Sequence, residues 1–232
     1  MSQLVSTPYF GIALTILYYW IGTKIQKKTG LVICNNLIIA AGLVVVTLLL
    51  FRIPYDSYYV GGSIINAFLG PATACMAVNI YRKLELLKKN WLPVLVGCLA
   101  GAVTSIASVF VMSRLFGLDR AMTVSLLPKS VTTPIASAIS EGQGGIVSIT
   151  VAAVIFTGIV GNLMAPFLIK LFRVKDSLAA GLGVGACSHA IGTAKALEIG
   201  DTEGAMSGLA IGICGVITAV LALGFDLLLS VF

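Results

Sequence analysis

The chain has 232 residues, 58% of them apolar and 10% charged, with a mean hydropathy of +1.04. Soluble domains carry about a quarter charged residues, so this chain cannot cover its surface for water, and a multi-pass place in the lipid of the cytoplasmic membrane is expected. The net charge of +6 comes from basic residues that punctuate apolar runs; they lack the aromatic interleaving of a nucleic-acid surface, and no nucleic-acid partner is expected.

A crossing helix needs about 20 mostly apolar residues. The first such stretch is Met1 to Thr23. Its lysines, Lys24, Lys27 and Lys28, follow the apolar run, whereas a secretory signal has them in front, so a retained span is expected. Leu31 to Phe51, Ser57 to Tyr81, Asn90 to Ser113, Gly142 to Ile169 and Ala205 to Phe225 are likewise free of charge. Two further apolar regions are interrupted: Ala121 to Ser140 by Lys129 and Pro134, and Ser177 to Ala194 by Gly181, Gly183, Gly185 and Gly192. The pattern reads as all-α, a single integral membrane domain over 1–232. Residues 1–56 form scaffold-like outer spans, and 57–232 form a core with broken helices near 69–79, 121–145 and 177–199.

Basic residues favour the cytoplasmic side, which groups the connections at Lys24–Lys28, Arg82–Lys89 and Lys170–Lys175. The segment from Asp119 to Gly145 must then begin and end on one side, as a re-entrant hairpin or an even number of short crossings. The acidic connection Glu198, Asp201 and Glu203 fits the outside. The expected topology has seven crossings plus one re-entrant element, with the N-terminus outside; an eight-span version stays open.

The interruptions carry the functional signal. Pro71 and Thr73 in one half, and Pro128 and Pro134 in the other, give a weak internal repeat of the inverted type. Proline breaks the helical ladder and exposes half-helix ends; paired breaks of this kind point to a transporter site. Pro71 alone reads equally well as a packed kink. Lys129 is an ionisable residue inside an apolar region, which is costly enough to suggest function. Beside half-helix N-termini it would attract a small anion, although snorkelling or pairing with Glu141 would also explain it.

The single histidine, His189, lies in a break around Gly192. It is either a structural hydrogen-bonding group or a titrating one. The candidate substrate set is Lys129, Ser130, Thr132, Thr133, Ser188, His189 and Thr193, with proton coupling at His189 or Glu141. The five cysteines stand singly, without metal spacing, and read as small core thiols. No metal or cofactor is expected. Enzyme function is not expected either, because neither a nucleophile elbow nor a P-loop is present.

Pro128-Lys-Ser-Val-Thr-Thr-Pro-Ile-Ala136 and Ser188-His-Ala-Ile-Gly-Thr-Ala194, together with Glu203-Gly-Ala205 and Tyr55-Asp-Ser-Tyr58, resemble the LrgB/CidB family over nearly the whole chain. The chain departs from the family pattern at Ala77-Val78-Asn79, where relatives often place a proline. The resemblance implies a regulator of murein hydrolase activity and cell lysis that works with a small holin-like membrane partner. It also implies a link to small monocarboxylates such as pyruvate, and to a plastid exchanger of glycolate and glycerate.

Broken helices and a buried lysine favour transport over a plain lysis scaffold. The first expectation is therefore a secondary transporter of small carboxylates (pyruvate, lactate or glycolate) with elevator-like architecture. In it the broken elements move against the outer spans, and a homodimer, the commonest assembly, supplies a fixed surface. The alternative is the LrgB/CidB-type regulator itself.

Overall fold

The computed structural model describes residues 6–30, 34, 36–68, 71, 78, 81, 84–225 and 227. Among them all regular structure is helical. The chain divides into two compact units, Met1–Ala72 and Thr73–Phe232.

In the first unit, α1 (Pro8–Thr29) packs against both α2 (Asn36–Leu50) and α3 (Tyr55–Ala67). Proline suits the first turn of α1, which has no amide partner to lose, and Lys27 and Lys28 in its last turn complement the helix dipole. The contact with α3 is backbone to backbone: a Cβ on Gly61 would lie 2.8 Å from the Cα of Gly11. Small residues allow this approach and interhelical hydroxyls reinforce it. Thr15 Oγ1 and Tyr58 Oη lie 2.9 Å apart, and Tyr18 Oη and Thr47 Oγ1 lie 2.6 Å apart.

Helix α3 has 13 residues, a length of about 20 Å against the roughly 30 Å of a hydrocarbon core. It stops at Ala67, ahead of Pro71, so the apolar stretch 57–81 is not one continuous described helix. Thr73 and most of the expected break at 69–79 lie outside the described residues.

The second unit holds α4 (Leu84–Lys89), α5 (Trp91–Leu115), α6 (Arg120–Leu126), α7 (Thr133–Gly142), α8 (Val147–Leu171), α9 (Ser177–Ile199) and α10 (Asp201–Ala222). Among the described residues three helices, α5, α8 and α10, are long and apolar enough to cross a membrane, which fits a membrane location. The other charge-free stretches differ: α1 extends into its lysines, and α2 has only 15 residues. Gly142 closes α7, so α8 starts five residues later than the apolar run.

The segment 119–145 folds as two short arms. Helices of 7 and 10 residues span about 10 and 15 Å, so neither can cross alone. The chain leaving α7 returns to the first arm, where the Ile146 amide donates to Ser125 Oγ at 2.7 Å. Thr150 Oγ1 then bonds Ser140 Oγ at 2.7 Å, fixing α8 to α7.

A turn recurs at the ends of α2, α5 and α8. Leu50-Phe-Arg52-Ile, Leu115-Phe-Gly117-Leu and Leu171-Phe-Arg173-Val each put the third residue in the left-handed region, at φ 51°, 64° and 52°. The residue after it bonds back five positions, with Ile53 N to Leu48 O, Leu118 N to Ser113 O and Val174 N to Ile169 O, the Schellman arrangement. After the second and third turns an aspartate caps the next helix: Asp119 accepts from the Met122 amide and Asp176 from the Ala179 amide. Each 25-residue helix, α5 and α8, thus hands the chain by the same turn into a broken element.

Helices α9 and α10 make the tightest seam. A Cβ on Gly181 would come within 2.8 Å of Met206 Cβ, and one on Gly185 within 2.8 Å of Ser207 Cα. Around this seam Val94, Cys98, Leu182, Ala186, Met206, Leu209 and Cys214 form the largest buried cluster.

Candidate functional site: the hairpin tip and the break in α9

The hairpin tip lies against the middle of α5. Leu127, Pro128, Ser130, Val131 and Thr132 are buried, and Lys129 is half-buried. Ser105 Oγ donates to Ser130 Oγ at 2.8 Å, and Lys129 Nζ donates to the same oxygen at 3.3 Å. Ser130 therefore accepts twice and keeps its own proton free to donate.

Thr132, the residue preceding α7, is 5% exposed. Its hydroxyl is the one buried side-chain oxygen or nitrogen among the described residues with no partner. The backbone amides of Thr133 and Ile135 at the start of α7 also lack an acceptor there, while Ala136 N bonds Thr132 O. Helix N-termini leave such amides open. Pro134 sits in this first turn, so it opens α7 instead of interrupting a helix. The tip thus presents an ammonium, open amides and two hydroxyls that can donate, a set of donors that suits an anion.

A cavity of about 10 Å³ adjoins the tip, lined by Ser105, Pro128, Ser130, Ala186, Cys214 and Thr218 among others. That is room for about one water. Lys129 has no carboxylate partner among the described residues; Glu141 is exposed at the far end of α7, so the pairing of Lys129 with Glu141 does not form. Cys187, just before the break in α9, is an electrostatic neighbour of Lys129. It is also exposed, unlike the core thiol expected from the sequence. Cys98 and Cys214 do sit in the core, with Cys214 Sγ directed at the Cys98 carbonyl at 3.7 Å. Cys34 is half-buried, and Cys75 lies outside the described residues.

The break in α9 falls at His189, with φ 42° and ψ −139°. A non-glycine residue there is strained and persists only if its surroundings hold it. They do so through four contacts. His189 Nε2 lies 2.9 Å from Val154 O, and since a carbonyl only accepts, Nε2 carries the proton. Thr193 Oγ1 donates to His189 O at 2.9 Å and also lies 2.6 Å from Ser207 Oγ, while Asn162 Nδ2 donates to Ile191 O at 2.8 Å.

Gly158 and Gly161 of α8 make room for the break: a Cβ on the first would lie 2.7 Å from His189 Cε1, and one on the second would overlap Ser188 Oγ. A Cβ on Gly192 would overlap the Ser188 side chain. The structure therefore gathers Lys129, Ser130 and Thr132 at the tip, with Thr133 beginning the helix behind them. Ser188, His189 and Thr193 face α8 and α10 instead.

Reading the sequence missed Ser105, Asn162 and Ser207. Each is a polar residue inside an apolar run, the signal that a span faces protein rather than lipid. Among the described residues, no three His, Cys, Asp or Glu side chains gather where they could hold a metal.

The profile of the LrgB-like family matches residues 15–226. Relatives from Bacillus cereus (strain B4264) and Bacillus anthracis (strain A0248), each called antiholin-like protein LrgB, are 39% identical to the chain over 215 residues. Those residues make up 92% of this chain and 94% of each relative. No solved structure matches the chain. With nearly its full length aligned to both the profile and the relatives, the chain belongs to the LrgB-like family.

Proposed function

We propose that the chain acts as an antiholin-like membrane protein of the LrgB type, restraining murein hydrolase activity and lysis beside a small holin-like partner. The shared name of relatives that align over 92% of the chain supports this reading, and it moves the regulator ahead of the transporter favoured by the sequence. Deleting the gene should raise autolysis under a lysis-inducing stress, and restoring the intact chain should reverse it. Unchanged autolysis would reject the regulator.

A second reading is favoured by one observation, the donor-rich tip around Lys129, Ser130 and Thr132. A regulator needs no such surface, and a protein that moves small carboxylates does. In that reading seven crossings and a re-entrant hairpin, paired as a homodimer, carry the tip in an elevator-like movement. Purified protein in proteoliposomes should take up pyruvate, lactate or glycolate, and Lys129→Met should abolish the uptake. A flat response to all three rejects transport and leaves the regulator standing.

A further inference from the structure

Lys129 also lines a second space. Between the last turns of α5 and the first hairpin arm lies a groove of about 250 Å³, open on one side, walled by Val109, Met112, Phe116, Leu118 and Leu126. Two hydroxyls reach its wall: Ser108 Oγ donates its proton to Ser105 O at 2.8 Å, and Ser113 is buried. Among the described residues, Lys129 is the only charged side chain lining it. From Ser108 to Phe116 the groove follows eight residues of helix, about 12 Å. It is about 25 times the size of the single-water cavity at the tip, room for a small organic molecule.

We infer that this groove is the tail site of a monocarboxylate with an unbranched alkyl chain, whose carboxylate meets Lys129 and Ser130 while its hydrocarbon lies along Val109, Met112 and Leu126. The inference rests on reading Lys129 as an anion site and specifies which anions it prefers. A single lysine in a mostly apolar groove complements one negative charge with an apolar remainder. A second carboxylate would meet no cation in the groove. Burying such a group without a hydrogen bond is costly. Butyrate to hexanoate therefore fits better than succinate. Met112, half exposed beside the groove, is the residue that sets the accepted chain length.

The test is calorimetric titration of the purified full-length protein with acetate, butyrate, hexanoate and succinate. Affinity should rise two- to fourfold per added methylene from acetate to hexanoate, and succinate should bind no better than acetate. Met112→Trp should bring the hexanoate-to-acetate ratio towards one, and Met112→Ala should shift the gain to longer chains. Equal affinity along the series, or a chain-length gain that survives unchanged in both Met112 variants, overturns the tail site while leaving the anion site standing. If acetate fails to bind, or if every carboxylate binds Lys129→Met as well as the parent, the anion reading falls and the tail site with it.

Discussion

Ser105 Oγ and Ser130 Oγ meet at 2.8 Å, joining the middle of α5 to the inner end of the hairpin. The bond fixes the oxygen on which Lys129 also rests, so a residue that touches no ligand positions those that would. Ser105→Ala should cost about 1 kcal/mol of stability and weaken carboxylate binding as well, whereas Ser105→Thr should keep both. Thermal unfolding and titration of the same two variants check this.

Thr132 should behave in the opposite way. Its hydroxyl is buried without a partner, which costs about 1–3 kcal/mol in the empty protein. Thr132→Val should therefore raise the unfolding temperature and lower anion affinity at once. A variant that loses stability and affinity together would mean that the hydroxyl serves the fold.

His189 is 4% exposed and bonded to Val154 O. Removing the ring in His189→Ala leaves a void against Gly158 and a break with one fewer restraint, at about 2–4 kcal/mol. His189→Gln, whose amide can donate to the same carbonyl, should recover much of that loss. If His189 serves only the break, the pH dependence of any uptake is the same in the Gln variant as in the parent, and a shifted pH profile would return the residue to proton coupling.

The recurring turn offers a clean backbone measurement. A Cβ at Gly117 would meet nothing within 4 Å, yet φ is 64° there. Gly117→Ala should cost about 1 kcal/mol from conformation alone, read as a lower unfolding temperature, and Gly117→Asn should cost less. At Arg52 and Arg173 the same conformation is held by a cation at a helix C-terminus, where its charge offsets part of the strain.

What the sequence revealed depended on the kind of signal. The two short arms between Asp119 and Gly145 were legible because a proline and a lysine interrupt that apolar run. The place of the second break was legible from glycine spacing. Its content was not, because His189 and Thr193 turn towards Val154 and Ser207, residues 35 and 14 positions away. No local pattern records such distant partners. The prolines at Pro71 and Pro128 suggest one repeat, while the turn that recurs is built on Leu-Phe followed by Gly or Arg, residues that carry no obvious break signal.

The glycine seam between α9 and α10 has a mechanical consequence. Backbones that touch at Gly181 and Gly185 leave no layer of side chains to shear, so the two helices behave as one double-width rod. Any displacement of the break at His189 must carry α10 with it. The compliance for such a movement then lies at the rod's ends, in the short link Val174–Asp176 before α9 and the turn at Leu223–Gly224 after α10, and those few residues would set how far and how fast the break could travel.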